Sequence, residues 1–282
     1  HSRNRLKNKN SMLHYMAASL LYEGFMGYKA YTSTKSGFRF RVFLHDIENG
    51  ELLSIMDANF MGMIRTGAVS AVAAKYISKK NSKTVLIFGS GFQAEGQLLG
   101  INEVRDIKKI YVYSRNEENR QSFCDKMKDS LICDLIPVNS PEEVIGNADI
   151  IITSTTSKVP VFNGDIIESG VHINSIGNNF LFKNEIDEST IKKCSIIAVE
   201  DIDQSKIEAG EFLPLIDKGS LHWSDLVELK DIVSGKINSR KGDDDITLFK
   251  SIGIAAEDIA VASYIYKIAK ENKIGKNIDV LS

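Results

Sequence analysis

The sequence contains few residues of the types that cross-link or rigidify a chain. Its 282 residues include 4 prolines, 3 cysteines and 1 tryptophan. Cys124, Cys133 and Cys194 are odd in number and lack the spacing of metal ligands. They are therefore predicted to be reduced thiols of a cytoplasmic protein, with no metal site. The scarcity of proline and the lack of a low-complexity segment argue against a long disordered linker.

Long hydrophobic runs and an excess of one charge sign are also missing. No apolar run approaches the roughly 20 residues that span a bilayer, and no signal peptide is recognisable, so no membrane partner is expected. The formal net charge of -2 gives no reason to expect nucleic acid as a partner. With 43% hydrophobic and 26% charged residues, the composition is that of an ordinary globular chain long enough for two domains.

The stretch at residues 84–94, TVLIFGSGFQA, carries the clearest functional signal. Its apolar run, Val85 to Phe88, predicts a strand buried on both faces of a parallel sheet. Gly89 and Gly91 then fit a dinucleotide-binding turn, because Gly89 permits the tight bend and Gly91 has no Cβ to block a pyrophosphate. The helix that follows, from Glu95, would offer free N–H groups to phosphate. An ordinary strand-to-helix turn is the alternative, but the flanking strand and helix favour the cofactor.

Strands and helices alternate from residue 84 to about residue 200, which predicts an α/β fold with a doubly wound, parallel, Rossmann-type sheet. The second strand, Lys109 to Tyr113, is followed by Ser114, Arg115 and Asn116. An NAD-specific site usually carries an acid here, whereas serine and arginine suit a 2′-phosphate. We therefore predict that NADP(H) is preferred and that NAD(H) is the second choice. The alternative is that Arg115 is a surface charge.

The two ends of the chain predict a second, smaller α+β domain around the inserted one. Alternating apolar and polar residues indicate four strands before residue 57, and a long helix is predicted over Ile254 to Lys270. The domains are predicted as residues 1–64 with 247–282 for substrate binding and dimerisation, and residues 65–246 for the dinucleotide. The basic segment His1 to Asn10 is predicted to be a frayed terminus, although Arg3 and Arg5 would share one face of a strand.

Two basic residues stand at unusual places. Lys29 lies between apolar neighbours in a predicted strand, and lysine seldom points into a core unless it is paired. Arg65 begins an Ala-rich helix predicted over Ile64 to Ser78, where the helix dipole does not favour a cation. An anionic partner would explain both residues, and ordinary surface positions are the alternative. His172, inside an apolar strand, is predicted to be a structural histidine.

Several motifs in order resemble the ornithine cyclodeaminase/mu-crystallin family. They are IRTGAVSAVAAKYI, the turn GSGFQA, VHINSIGNN with the later Glu185 and Asp187, and TLFKSIGIAAEDIAVA. The resemblance covers nearly the whole chain. It implies a nicotinamide dinucleotide cofactor, a small amino or imino acid substrate with a carboxylate, and a homodimer built through the split domain.

The resemblance also implies roles for individual residues. Arg5, Lys29 and Arg65 match substrate-binding basic residues, and two arginines with a lysine suit a carboxylate. Lys29, Arg65 and Asn179 are the predicted catalytic residues, and Ile252 is a further predicted substrate contact. The predicted cofactor contacts are Gly89, Gly91, Phe92, Gln93, Ser114, Arg115, Asn116, Thr155, Lys183 and Ser251.

Asn179 departs from the cyclodeaminase pattern. The resemblance implies an acid/base aspartate at this position in cyclodeaminases and archaeal alanine dehydrogenases, and an amide cannot exchange a proton at neutral pH. Reduction of a C=N bond needs one hydride and one proton, whereas cyclodeamination needs several proton transfers. We therefore predict an NAD(P)-dependent oxidoreductase acting at the α-carbon of a small amino or imino acid. The alternatives are an ornithine cyclodeaminase and a non-catalytic, crystallin-like binding protein.

Overall fold

The computed structural model describes residues 1–278, which fall into two compact units. The first unit contains residues 1–65 and the chain from Ile254 onward, and the second contains Thr66–Gly253. The sequence placed the second boundary at residue 247. The difference arises because the strand Thr247–Lys250 pairs with two strands of the second unit instead of joining the first.

The strands follow the alternating and continuous apolar patterns of the sequence. In chain order they are β1 (Asn4–Lys7), β2 (Ser11–Leu20), β3 (Phe25–Thr34), β4 (Gly37–Asp46), β5 (Leu52–Asp57), β6 (Thr84–Phe88), β7 (Lys109–Tyr113), β8 (Asp134–Pro137), β9 (Ile150–Thr153), β10 (His172–Ser175), β11 (Ile196–Val199), β12 (Val227–Glu228) and β13 (Thr247–Lys250).

Three of the helices exceed twelve residues and the others are shorter. They are α1 (Asn59–Ile77), α2 (Phe92–Val104), α3 (Glu117–Met127), α4 (Glu188–Lys193), α5 (Ile202–Glu208), α6 (Leu213–Asp217), α7 (Leu229–Val233) and α8 (Ala255–Glu271). No helix within residues 1–278 combines the length and the apolar character needed to cross a bilayer.

The first unit is a five-stranded antiparallel sheet in the order β1-β2-β3-β4-β5. Side chains alternate between its two faces, and directly paired residues share a face. Val42 and Leu44 point to the face on which Ile259 and Ala262 of α8 pack, and the four are fully buried. One face therefore forms the core of this unit together with α8.

The second unit is an eight-stranded sheet in the order β12-β11-β13-β10-β9-β6-β7-β8. All its neighbouring strands run parallel, which confirms the predicted doubly wound α/β fold. Its central strands are buried on both faces, since Leu86 and Ile87 belong to different hydrophobic clusters. All carboxyl ends of parallel strands lie along one edge, where ligands bind in open sheets of this class.

Two local predictions were wrong. Residues 4–7 form a strand paired with β2, because every residue of β1 finds a partner between Met12 and Tyr15. The helix predicted from Ile64 begins at Asn59, so Arg65 lies inside α1 and not at its start. Between β8 and β9 the chain forms two short 3-10 turns, Pro141–Glu143 and Ile145–Asn147.

Candidate active-site residues

A cavity of about 630 Å³ lies along the carboxyl edge of the second unit. It is lined by Phe88 at the end of β6 and by the chain that follows β6, β7 and β9. Six of the predicted cofactor contacts line it: Gly89, Gly91, Ser114, Arg115, Asn116 and Thr155. The same cavity also holds Ser90, Tyr113, Asn119, Ser154, Thr156, Ser157 and Val161.

The glycine turn after β6 has the shape that a phosphate site requires. Gly89 has a φ of +116°, and a Cβ there would lie 2.2 Å from the carbonyl oxygen of Ser154. Gly91 has a φ of -96°, and an added Cβ would meet nothing within 4 Å. The space beside Gly91 is therefore open, and the N-terminus of α2 begins at the next residue. An open space in front of free helical N–H groups fits a pyrophosphate.

The turn after β7 is held by its own polar groups. Ser114 Oγ donates to the carbonyl oxygen of Asn116 over 3.0 Å, and Asn116 Oδ1 accepts from the backbone N–H of Asn119 over 2.7 Å. The buried Arg120 guanidinium donates to the carbonyl oxygen of Ser114 over 2.9 Å. Of the lining residues that the structure describes, Arg115 alone is charged, and its side chain is exposed.

Four other predicted cofactor contacts do not line this cavity. Phe92 and Gln93 form the first turn of α2, and Phe92 is 48% exposed. Lys183 Nζ lies 5.4 Å from the ring centroid of Phe180. Ser251 is buried and its hydroxyl donates to Glu200 Oε1 over 2.5 Å. Their roles toward a cofactor remain predictions.

Three buried glutamates connect neighbouring loops at the carboxyl edge, and we call Glu185, Glu200 and Glu211 the glutamate rim. Glu185 accepts hydrogen bonds from Thr155, after β9, and from Gly177, after β10. Glu211 Oε1 accepts from Lys250 Nζ at the end of β13 and from Asn178 Nδ2 after β10, each over 2.9 Å. Glu200, after β11, accepts from the Ser251 hydroxyl and from two backbone N–H groups after β13.

Asn179 and Ile252 lie on two of these connected loops. Asn179 is half-buried in the loop after β10, next to Asn178 of the Glu211 network. The backbone N–H of Ile252 donates to Glu200 Oε2 over 2.9 Å, and its side chain is 4% exposed in a hydrophobic cluster of the second unit. The rim therefore fixes the backbone next to both predicted residues.

The first unit contains a group of basic residues, Arg3, Arg5, Lys29 and Arg65, which we call the cation cluster. Three of them are buried and Arg5 is half-buried. Lys29 Nζ lies 2.8 Å from Asp258 Oδ1, and Arg65 Nε lies 3.2 Å from the same oxygen. A second nitrogen of Arg65 lies 2.6 Å from Glu257 Oε2. Lys29 and Arg65, separated by more than thirty positions in the chain, thus meet at one carboxylate of α8.

Lys29 faces the core because of its place in β3, where it pairs with Met16 and Val42. Its side chain is 3% exposed. Burial, together with the charges of Arg65 and Arg3, lowers the pKa of Lys29 from 10.5 to about 8, and Asp258 opposes this shift. An amine with such a pKa can both hold a negative group and give up a proton near neutral pH.

Arg5 occupies the next row of the sheet, paired with His14 on β2. His14 stacks on Tyr31 with ring centroids 4.2 Å apart. Burial lowers the pKa of His14 to about 4, and the charges of Arg5 and Arg3 act in the same direction. His14 is therefore neutral at pH 7 and adds a polar, aromatic surface beside the cations.

Sequence reasoning missed Arg3, His14, Glu257 and Asp258. A signal existed for the acids, because a buried lysine needs a carboxylate and two acids begin the predicted C-terminal helix. Nothing in the sequence indicated which acid would form the ion pair with Lys29. Arg3 was assigned to a frayed terminus, although it is 6% exposed and its charge acts on Lys29 and His14.

Comparison with known proteins shows which family and which solved structures the chain is similar to. The model of the ornithine cyclodeaminase/mu-crystallin family matches residues 3–273. A Delta(1)-pyrroline-2-carboxylate reductase of Bacillus cereus is 36% identical over 239 residues, which is 84% of this chain and 73% of the relative.

Two solved structures share the whole fold. The Delta(1)-pyrroline-2-carboxylate reductase of Thermococcus litoralis, in complex with NADH and L-proline, has a TM-score of 0.93 at 31% identity, over 99% of this chain and 89% of the other. An archaeal alanine dehydrogenase dimer with bound NAD has a TM-score of 0.91 at 30% identity, over 99% and 88% of the two chains.

Proposed function

Because this chain belongs to the ornithine cyclodeaminase/mu-crystallin family, we propose that it is an NAD(P)-dependent reductase of small imino acids. The second unit would hold the dinucleotide and the first unit would hold the carboxylate of the substrate. Cyclic imines such as pyrroline-2-carboxylate are the first substrates to test, since relatives more than 30% identical act on this compound.

The observation that carries the proposal is the crowding of buried cations around one carboxylate. Lys29 Nζ and Arg65 Nε lie 2.8 Å and 3.2 Å from the same oxygen, Asp258 Oδ1, and the charges of Arg65 and Arg3 lower the pKa of Lys29. Buried cations this close to one another repel, so an anionic ligand beside them is favoured. The carboxylate of an α-imino acid has the required charge and can accept two hydrogen bonds from a guanidinium.

The residues of the second unit fit a nicotinamide dinucleotide. The open space at Gly91 and the N-terminus of α2 suit its pyrophosphate, and Ser114 and Arg115 suit a 2′-phosphate. We propose NADP(H) as the preferred form, with NAD(H) as the form that relatives bind. When bound, the reduced dinucleotide supplies a hydride to the carbon of the C=N bond.

The chain must then supply one proton and hold the substrate still. In this proposal Arg65 and Arg3 bind the carboxylate, and the Lys29 ammonium gives its proton to the imine nitrogen as the amine forms. The C=N double bond becomes a C–N single bond, and Lys29 regains its proton from solvent. Asn179 orients the substrate or a water by hydrogen bonds, because its amide does not exchange protons at neutral pH.

We also propose a homodimer built through the sheet of the first unit. The face opposite α8 exposes Leu6, Leu13, Tyr15, Tyr28 and Ile55. A second copy of the chain is the proposed occupant, since the archaeal alanine dehydrogenase of the same fold is a dimer. A cytoplasmic location is proposed as well, where the three free cysteines would stay reduced.

The proposal is tested by following NADPH and NADH oxidation with pyrroline-2-carboxylate, larger cyclic imines, and pyruvate with ammonia. Arg65→Ala should raise the KM for the imine by roughly 10- to 100-fold, the effect of one lost charge-assisted hydrogen bond, and leave the Kd of the dinucleotide unchanged. Arg65→Lys should retain part of the affinity. Lys267→Ala, a surface change on α8, is the matched control.

Two results would overturn the proposal. One is proline and ammonia from ornithine without net consumption of NADPH, which identifies a cyclodeaminase. The other is tight binding of NADPH with no turnover on any amino or imino acid, which identifies a binding protein.

A further inference from the structure

Glu185 makes an unusual number of hydrogen bonds for a single side chain. It is fully buried, ten residues beyond the end of β10. Its carboxylate accepts from Thr153 Oγ1 over 3.0 Å, from Thr155 N and Thr155 Oγ1 over 2.7 Å each, and from Gly177 N over 2.6 Å. Four donors saturate a carboxylate, so the side chain is fixed in one position.

The two oxygens connect two loops. Oε1 accepts both hydrogen bonds of Thr155, in the loop after β9, and Oε2 accepts from Gly177, in the turn after β10. A Cβ on Gly177 would lie 2.3 Å from Oε1, so only glycine lets the carboxylate approach this closely. The position of one loop therefore determines the position of the other.

Both loops matter for the proposed reaction. Thr155 lines the cavity of the second unit, and Gly177 stands two residues before Asn179. We infer that Glu185 is a positioning residue, which sets the Thr155 wall of the dinucleotide cavity and the turn that carries Asn179 without touching either ligand. This inference rests on the function proposed above.

The chemistry requires a carboxylate at this position. Thr155 N and Gly177 N are backbone donors that cannot be reversed, and they bond to different oxygens of Glu185. A glutamine would place an NH₂ group against one of them, so one hydrogen bond must break and one loop must move. Burial raises the pKa of Glu185, but the charge of Lys250 and the bonds from Thr155 and Gly177 favour the ionised form.

Asp187 supplies a matched control two residues away. Its carboxylate accepts from Gly164 N over 2.9 Å, from Thr190 N over 2.8 Å and from Thr190 Oγ1 over 2.7 Å. These are the same kinds of donor as those of Glu185, and neither partner lines the cavity. A change at Asp187 therefore removes comparable hydrogen bonds and should affect only the stability of the fold.

The experiment compares Glu185→Gln, Asp187→Asn and the unchanged protein. Melting temperature, dinucleotide Kd by NADPH fluorescence, and kcat with a cyclic imine are measured at a temperature where all three are folded. Glu185→Gln should raise the Kd and lower kcat, each by roughly tenfold or more. Asp187→Asn should lower the melting temperature and leave Kd and kcat unchanged.

The inference would be overturned if Glu185→Gln lowered the melting temperature as much as Asp187→Asn does and left the Kd and kcat at the values of the unchanged protein. If Glu185→Gln does not fold, the dinucleotide Kd of Thr153→Val tests the inference instead. This change removes the hydroxyl that donates to Glu185, one of its four donors, and keeps the side-chain shape. It should raise Kd in the same direction by a smaller factor, and an unchanged Kd would overturn the inference too. Failure of the unchanged protein to bind any dinucleotide would instead refute the proposed function.

Discussion

Lys29 and Asp258 form a buried ion pair, with Nζ and Oδ1 2.8 Å apart, between residues 229 positions apart in the chain. The pair joins the third strand of the sheet to the first turn of the last helix. Arg65 approaches the same oxygen, so one carboxylate sets the positions of the proposed proton donor, Lys29, and of the arginine proposed to bind the substrate.

Removing the charge of Asp258 should change the pH dependence of activity. The pKa of Lys29 is about 8, and Asp258 keeps it from falling further. If the Lys29 ammonium gives the proton, kcat/KM for imine reduction falls as pH rises through about 8. Asp258→Asn lowers that pKa, so the alkaline limb of the profile should move to lower pH. In Lys29→Arg the limb should disappear, and an unmoved limb in Asp258→Asn would remove Asp258 from this role.

The two glycines of the turn after β6 should respond differently to alanine. Gly91→Ala places a methyl group in open space, so we expect an unchanged melting temperature and a weaker Kd for the dinucleotide. Gly89→Ala forces a positive φ and a contact of 2.2 Å with Ser154, so it should destabilise the fold. Calorimetry and NADPH fluorescence separate the effects. An unchanged Kd in Gly91→Ala would contradict the pyrophosphate assignment.

Arg115 should determine the preference between the two dinucleotides. Its exposed guanidinium is the charged group along the described cavity wall, and a 2′-phosphate is the part of NADPH that needs one. Arg115→Ala should raise the KM for NADPH by roughly tenfold and leave that for NADH nearly unchanged. Steady-state kinetics with both dinucleotides give the ratio. Equal effects on the two cofactors would show that Arg115 is only a surface charge.

His172 should make the protein acid-sensitive. Burial lowers its pKa to about 3, below the ordinary value of 6.5, so between these values the unfolded chain binds a proton that the folded chain does not. Stability is therefore greatest above pH 6.5 and falls as pH drops toward 3, by about 1.4 kcal/mol per pH unit for this group. Chemical unfolding from pH 7 to pH 4 measures the slope, which should be shallower in His172→Gln.

The exposed sheet face of the first unit should carry the dimer contact. Leu13 and Tyr15 lie on it with their side chains 38% and 41% exposed. Burying a charge there costs more than the contact gains, so Leu13→Asp with Tyr15→Asp should give a monomer. Light scattering measures the mass. Tyr22→Asp, at an exposed position outside the strands, is the control, and an unchanged mass in the double variant would place the interface elsewhere.

The local patterns of the sequence predicted most of the sheet architecture. Buried parallel strands such as β6 and β7 are continuous apolar runs, and β7 has the predicted bounds, Lys109–Tyr113. The errors fall where tertiary pairing decides. The polar segment NRLK of β1 has no strand signal of its own and is ordered by pairing with β2. The strand Thr247–Lys250, which the sequence assigned to the first unit, pairs with β10 and β11 of the second.

The candidate site likewise contains local features that the sequence predicted and long-range contacts that it did not. The glycine turn and the Ser114–Asn116 turn were recognisable because their chemistry lies within a few consecutive residues. The partners of Lys29 and Arg65 were not, because Asp258 and Glu257 come from the far end of the chain. The role of Glu185 could not be read from the sequence either, since its donors are reached only through the order of β9 and β10 in the sheet.

The glutamate rim has a consequence for redesign of this protein. Replacing the segment after β10 or β11 by a longer graft would displace Glu185 or Glu200, and would leave the backbone N–H of Thr155, or those of Ile252 and Gly253, without an acceptor. The turn after β7 is tied to the rest of its unit differently, through Arg120 and one carbonyl oxygen. The preference between NADPH and NADH, proposed to depend on the turn after β7, should therefore be easier to change by engineering than the loops that the glutamate rim connects.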